Sequence, residues 1–167
     1  MKTGFSQSNA WAVGFKFAIV VSSWNSEFTS RLESGARRAL GERGVAKADI
    51  VTFQVPGAFE LPFACVEAAR HHEFDAIIAL GVVIRGDTPH FDYGASQAAR
   101  GVMQASIDTG VPIMFGVITA DNIEQTEARC GEGVDNKGFE AAVSAVEMAN
   151  LMREMKTRRD EIIGIPF

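Results

Sequence analysis

The chain has 167 residues, of which 47% are hydrophobic and 22% are charged, and its formal net charge is −5 at pH 7. This length fits one domain with a single core, and the mixed composition excludes a disordered polyelectrolyte. The acidic balance provides no basic surface for nucleic acid, so we expect small molecules and other protein subunits as partners.

The cysteine content and the N-terminal sequence indicate the compartment. Cys65 and Cys130 fall in different predicted elements and form neither a disulfide framework nor a metal-ligand spacing. Residues 1–12 contain no apolar run of signal-peptide length, and no stretch approaches the ~18 apolar residues of a membrane span. We therefore expect a cytoplasmic protein in a reducing compartment, with no membrane association.

Four apolar runs rich in β-branched residues recur at fairly even intervals and predict strands that are buried on both faces. In chain order they cover residues 15–21, 49–55, 75–84 and 112–118. Helical apolar spacing follows each run. The first predicted helix begins behind Asn25 and Ser26 as candidate N-caps, and the second follows Pro62. The third covers residues 93–108 and the last covers residues 138–158.

Strands that alternate with helices through crossovers of this length require right-handed parallel connections. The predicted fold is an α/β three-layer α/β/α sandwich of flavodoxin-like type, with a parallel sheet of about four strands. Residues 1–167 are expected to form this single domain, with an N-terminal arm (residues 1–13) and a C-terminal tail (residues 159–167) outside the core. Ligands of such sheets bind beyond the carboxyl ends of the strands, where we expect the site.

Residues 81–93, which join the third strand to its helix, carry the most informative chemistry. They read Gly-Val-Val-Ile-Arg-Gly-Asp-Thr-Pro-His-Phe-Asp-Tyr. Gly86 permits a tight turn, while backbone N–H groups and the Thr88 hydroxyl near the helix start can bind an anion. His90 stands beside this predicted anion site and can accept and donate protons near neutral pH. The pattern indicates proton transfer during loss of phosphate; the alternative is a structural histidine that caps the helix.

Other motifs disfavour competing functions. His71 and His72 have no cysteine or carboxylate at metal-ligand spacing, so we expect a solvated helix end and no metal site. The basic cluster at residues 156–159 is interpreted as an exposed helix terminus. The chain has no Gly-x-Gly-x-x-Gly motif and no Walker loop, and residues 22–25 lack the glycine of a pyrophosphate cradle. Dinucleotide binding is therefore disfavoured.

The chain resembles the lumazine synthases from about residue 15 to residue 155. The matching blocks are Pro-Gly-Ala-Phe-Glu at 56–60, residues 81–93, Phe-Gly-Val-Ile-Thr at 115–119 and Asn-Lys-Gly at 136–138. The resemblance implies condensation of 5-amino-6-(D-ribitylamino)uracil with 3,4-dihydroxy-2-butanone 4-phosphate. The implied products are 6,7-dimethyl-8-ribityllumazine, phosphate and water, which is the penultimate step of riboflavin biosynthesis. No metal or redox cofactor is implied.

The resemblance also implies roles for individual residues, with His90 as the residue that transfers protons. It implies that the ribitylaminouracil contacts Trp24, Ala58, Phe59, Glu60, Val82, Val83, Ile84 and Phe115. It implies that the phosphate of the second substrate contacts Asp87, Thr88, Arg129 and Lys137. Trp24 stands where the family usually has phenylalanine, and an indole can stack equally well. Asp87 stands where many relatives carry a small neutral residue, so we assign it a backbone contact, because its carboxylate would repel phosphate.

Assembly is a further implication of the resemblance. The family's active sites lie between adjacent subunits of a ring, which implies a homo-oligomer of at least five subunits, with Phe115, Arg129 and Lys137 supplied by a neighbour. Larger assemblies in the family are decamers and an icosahedral capsid of twelve pentamers. The short connection at residues 130–136 favours the capsid. The resemblance also admits riboflavin synthase as an associated partner.

Two other classes of function stay open at this point. A non-catalytic flavin- or lumazine-binding module would need the same ring stacking and ribityl contacts, without turnover. A phosphorelay receiver-like domain shares the architecture but needs an aspartate at the end of the third strand, where this chain has Gly81, Val82 and Val83. Turnover of the two substrates distinguishes the enzyme from the binding module, and the missing aspartate disfavours the receiver-like domain.

Overall fold

The computed structural model describes residues 10–71 and 73–163, with side chains described through residue 159. The strands are β1 (Phe17–Ser22), β2 (Ile50–Val55), β3 (Ala76–Ile84) and β4 (Ile113–Ala120). The α-helices are α1 (Ser26–Glu42), α2 (Leu61–His71), α3 (His90–Thr109), α4 (Ile123–Glu127) and α5 (Lys137–Ile163), and single 3-10 turns cover Lys47–Asp49 and Ala58–Glu60. The four predicted strands and four predicted helices are confirmed, while α4 was not predicted.

The strands form one parallel sheet in the order β2-β1-β3-β4. One face packs against α1 and α5 through a cluster that includes Ile19, Leu32 and Val146. The other face packs against α2 and α3 through a cluster that includes Leu61 and Val102. The predicted three-layer, flavodoxin-like α/β/α fold is therefore confirmed. From β1 the chain connects to β2 on one side, and the next strand, β3, lies on the other side of β1. The topological switch point therefore lies between β1 and β3, and such sheets bind ligands at the carboxyl ends of the strands there.

The prediction that all four strands are buried on both faces is wrong for the two outer strands. The strands β1 and β3 are buried along most of their length, but β2 is buried only at its two ends and β4 mixes buried with accessible residues. Val51 on β2 and Phe115 on β4 are exposed. An outer strand has only one neighbouring strand, and the helices of this chain cover the centre of the sheet most completely.

The expectation that residues 1–13 lie outside the core is wrong for Ala12, which is fully buried in the core. The N–H of Ala12 donates to the carbonyl of Arg43 at 2.9 Å, and the amide of Asn150 donates to the carbonyl of Trp11 at 3.1 Å. These bonds attach this segment to α5 and to the end of α1. Residues 1–9 of the arm, residues 164–167 of the tail and His72 lie outside the described residues.

Helix α5 begins at a buried hydrogen-bonded asparagine. The Oδ1 atom of Asn136 accepts from the N–H groups of Gly138 and Phe139 at 2.9 and 3.1 Å. Its Nδ2 atom donates to the carbonyls of Arg31 and Gly131 at 3.1 and 2.8 Å. The Asn-Lys-Gly block therefore starts α5 and ties it to α1.

No helix within residues 10–71 and 73–163 has both the length and the apolar character that a bilayer span requires.

Candidate active site

The ends of β1 and β2 bring Trp24 next to residues 56–60. The N–H of Ser23 donates to the carbonyl of Val55 at 2.8 Å, and the N–H of Trp24 donates to the carbonyl of Pro56 at 3.1 Å. A Cβ atom on Gly57 would lie 3.5 Å from the indole of Trp24, so the ring lies directly over this glycine. Trp24 is nevertheless 68% exposed, which leaves most of the indole accessible to a planar ligand.

Glu60 lies in the 3-10 turn Ala58–Glu60 and caps its start. Its Oε2 atom accepts from the N–H of Gly57 at 2.9 Å, which fixes the carboxylate near Trp24. A carboxylate can accept hydrogen bonds on both oxygens, so this cap leaves acceptor capacity for a ligand hydroxyl. Phe59, the neighbouring candidate, is exposed.

The end of β3 is connected to the end of β1 through Asn25. The Nδ2 atom of Asn25 donates to the carbonyl of Val82 at 3.1 Å, and Asn25 adopts the left-handed conformation with φ of 59°. Asn25 is the N-cap of α1, as predicted, but its side chain forms no capping bond because it is used across the site. Val82 is buried and already bonded through its carbonyl, while Val83 and Ile84 are half-buried at the strand end. The sequence analysis did not predict the bond from Asn25 to Val82. Asparagine tolerates a positive φ, and this was the feature of the sequence that could have indicated an unusual backbone at this position.

His90 is the first residue of α3, three residues earlier than predicted, and it is exposed. The N-cap residue Pro89 forms no side-chain cap, and the N–H of Asp92 donates to its carbonyl at 3.1 Å. Within the described residues, the N–H groups of His90 and Phe91 are therefore the ones of the first turn left for an anion, beside the exposed residues Asp87 and Thr88. The positive end of a 20-residue helix favours an anion at this place. Gly86 does not adopt a positive φ, and a Cβ atom there would meet nothing within 4 Å. The tight turn expected at Gly86 therefore does not require glycine in this chain.

Phe115 does not reach the strand ends within its own chain. It pairs in register with Ala79, whereas Val82 pairs with Ile118. Three residues of strand correspond to about 10 Å, so Phe115 lies well before the carboxyl edge where Trp24 lies. It is 41% exposed on the outer strand. A neighbouring molecule could contact it there.

Arg129 and Lys137 form a second group. The N–H of Lys137 donates to the carbonyl of Arg129 at 2.9 Å, Arg129 donates to the carbonyl of Gln125 at 2.7 Å, and Lys137 pairs with Glu140 at 2.6 Å. In the part of the chain that the structure describes, no hydrogen bond or ion pair joins this group to Trp24 or His90. The hydrogen bonds and the ion pair of these two cations thus stay within residues 125–140 of the described chain.

The two cysteines are buried thiols. Burial raises the pKa of Cys65 to about 12 and also raises the pKa of Cys130. Nucleophilic chemistry needs the thiolate, so neither thiol suits that role. Among the described residues, no group of three or more His, Cys, Asp or Glu side chains is placed to hold a metal ion.

Comparison with protein families identifies a match over most of the chain. A family model described as 6,7-dimethyl-8-ribityllumazine synthase matches residues 14–153. The matched segment contains the whole sheet and every candidate site residue from Trp24 to Lys137.

Proposed function

The chain belongs to the 6,7-dimethyl-8-ribityllumazine synthase family, and on this premise we propose that it forms 6,7-dimethyl-8-ribityllumazine from 5-amino-6-(D-ribitylamino)uracil and 3,4-dihydroxy-2-butanone 4-phosphate. The observation that carries the proposal is the arrangement at the carboxyl edge of the sheet. There, an exposed indole and a capped carboxylate follow β1 and β2, and an uncapped helix start with His90 follows β3.

The pyrimidine ring is proposed to stack on Trp24. Its accessible indole offers a flat apolar surface, and Ala58, Phe59 and the end of β3 at residues 82–84 would form the wall beside the ring. Glu60 would accept hydrogen bonds from ribityl hydroxyls while its Oε2 atom holds the cap at Gly57. These contacts orient the diamine for reaction.

The phosphate of the second substrate is proposed to bind at the start of α3. Backbone N–H groups at Asp87 and in the first helical turn, with the Thr88 hydroxyl, would hold it, and His90 would lie beside it. The 5-amino group attacks the ketone and water leaves to form an imine; phosphate then leaves by β-elimination, and the ribitylamino nitrogen attacks the remaining carbonyl group and closes the second ring with loss of a second water. His90 moves protons in these steps. Holding both substrates in register can lower the barrier by roughly 7–11 kcal/mol in favourable cases.

Completion of the site is proposed to require a neighbouring subunit of a pentameric ring. Phe115 lies exposed on the outer strand, and Arg129 and Lys137 form a group without bonds to Trp24 or His90 in the described part of the chain. A head-to-tail ring would bring this surface of one subunit to the strand ends of the next. Arg129 would then bind the phosphate in bidentate fashion.

The direct test is lumazine formation from the two purified substrates, followed by absorbance. We expect turnover by the wild-type chain and a loss of about 10²-fold for His90→Ala, as is usual for removal of an acid–base group. A wild-type chain that binds riboflavin but forms no lumazine would be a binding module, and the proposal would be wrong.

Co-refolding tests whether the site is shared. His90→Ala and Arg129→Ala chains are each expected to form inactive rings, but equal amounts unfolded and refolded together should recover about a quarter of the sites, one half times one half. The matched control pairs His90→Ala with a His90→Ala/Arg129→Ala double variant, which supplies no histidine and should recover none. Mixed rings, verified by native mass spectrometry, that stay inactive would place both residues in one chain's site.

A further inference from the structure

Arg85, which follows β3, contacts three side chains at once. Its Nε atom donates to Oδ1 of Asp121 at 2.9 Å, and its Nη1 atom lies 3.3 Å from both carboxylate oxygens of Asp92. Its guanidinium carbon lies 4.1 Å from the centroid of the Phe91 ring. We call this group of four residues the Arg85 clamp.

The Arg85 clamp joins the end of β4 to the first turn of α3. Asp121 follows β4, and Phe91 and Asp92 follow His90 directly in the helix. The anchor at Asp121 is itself held, because its N–H donates to the side chain of Gln125 in α4 at 3.0 Å. The backbone N–H of Arg85 also donates to the carbonyl of Ala120 at 2.8 Å. The guanidinium is thus held between the end of β4 and the first turn of α3.

Besides the Arg85 clamp, the start of α3 is restrained by the hydrogen bond from the N–H of Asp92 to the carbonyl of Pro89 at 3.1 Å. Its N-cap residue makes no side-chain cap, and residues 85–90 are all exposed. A free helix start of this kind frays, and a displacement of about 1 Å at a catalytic group can cost 10²-fold in rate. The guanidinium of Arg85 contacts both residues that follow His90, Phe91 through its ring and Asp92 through its carboxylate.

We propose that Arg85 is a positioning residue that holds the first turn of α3 and thereby fixes the position of His90. The inference rests on the proposed function, in which His90 transfers protons. A role in stability alone is disfavoured, because the side chains of Arg85, Asp92 and Asp121 are 43%, 63% and 63% exposed and ion pairs this accessible contribute little to folding.

Arginine is suited to this place and lysine is not. The planar guanidinium can donate in two directions in its plane while its face stacks on an aromatic ring. The hydrogen bond to Asp121 raises the pKa of Arg85, so the clamp stays charged. Arg85→Lys keeps the positive charge but loses the planar set of N–H donors and the flat face that stacks on Phe91. It should therefore behave much like Arg85→Ala.

A double-mutant cycle in the lumazine assay tests the inference. We expect Arg85→Ala and Arg85→Lys to lower kcat about tenfold, with KM within about twofold of wild type, because ligand contacts remain while His90 is displaced. In a His90→Ala background the same substitutions should change kcat by less than about twofold, since no histidine is left to position. Effects that multiply in the double variant would overturn the inference.

Arg153 provides the matched control at the opposite edge of the sheet. It pairs with Asp75 at 2.8 Å and lies 3.4 Å from the centroid of the Phe15 ring, so Arg153→Ala removes the same kinds of contact away from the site. Its kcat should stay within about twofold of wild type. A tenfold loss there would mean that disruption of any such clamp lowers activity, and the positioning role would be rejected.

The cycle separates failure of this inference from failure of the proposed function. Wild-type activity in His90→Ala would reject the role of His90, and with it the proposed mechanism. An impaired His90→Ala beside a fully active Arg85→Ala would reject the clamp alone. If the Arg85 variants do not fold, Asp121→Ala removes the β4 anchor instead and should lower kcat in the same His90-dependent way.

Discussion

Replacing Asn136 with alanine would remove four hydrogen bonds where α5 joins α1. The amide accepts from two N–H groups of α5 and donates to two carbonyls, one on α1 and one in the preceding loop. Asn136 is 2% exposed, and a Cβ atom on Gly35 would come within 2.6 Å of its Cγ atom. Helix α1 therefore packs directly against this amide.

The expected cost follows from the number of bonds and their burial. Each hydrogen bond contributes about 1 kcal/mol net, which gives about 4 kcal/mol for four bonds. A water that enters the space left by the amide would satisfy some of the freed groups, since the site is polar, and would lower the loss to about 3 kcal/mol. We expect Asn136→Ala to reduce the free energy of unfolding by about 3–4 kcal/mol.

Urea unfolding followed by circular dichroism at one fixed protein concentration measures this loss, as a shift of the midpoint with an unchanged m-value. The control is Asn150→Ala. Within the described residues, Asn150 donates to the carbonyls of Trp11 and Val146 at a less buried place, and its replacement should cost about 1 kcal/mol. A loss below about 1 kcal/mol for Asn136→Ala, or one no larger than the control, would refute the reasoning.

Three further predictions concern packing, titration and ligand stacking. Gly138→Ala should cost about 3 kcal/mol in the same assay, because its Cβ would overlap the backbone of Leu32 and push α5 away from α1; an unchanged midpoint would contradict this. Burial raises the pKa of Cys65 from 9.0 to about 12, so the folded chain keeps a proton that the unfolded chain loses. The free energy of unfolding should therefore fall as pH rises from 9 towards 12, by up to ~1.4 kcal/mol per pH unit, and a Cys65→Ala variant with the same slope as wild type would disprove the assignment. Riboflavin should quench the emission of Trp24 in a Trp11→Phe variant, because the ligand stacks on the indole; unchanged emission beside binding seen by calorimetry would exclude stacking.

The order and type of the main elements could be predicted because they depend on local periodicity. Apolar β-branched runs marked all four strands, and helical spacing marked α1, α2, α3 and α5. Helix α4 has five residues, too few for a periodic pattern to show. The start of α3 was placed too late, because His90 and Asp92 are polar and add nothing to the apolar stripe from which the helix was predicted.

The candidate site was predictable only as far as strand ends could be recognised. Trp24, Ala58, Phe59, Glu60 and His90 all follow strands, so the rule for ligands of parallel sheets located them. The motif at 136–138 was recognised by resemblance, and only the structure shows that Asn136 and Gly138 lie in the buried junction of α1 and α5.

Contacts between distant parts of the chain were decided by the tertiary structure alone. Asn25 bonds to Val82 across 57 residues, and Arg85 bonds to Asp121 across 36. Local apolar patterns determine which residues form strands and helices, since they depend on the spacing of neighbours along the chain. They do not determine which strand ends lie side by side. The strand order β2-β1-β3-β4 does that, and it is set by how the helices pack on the two faces of the assembled sheet.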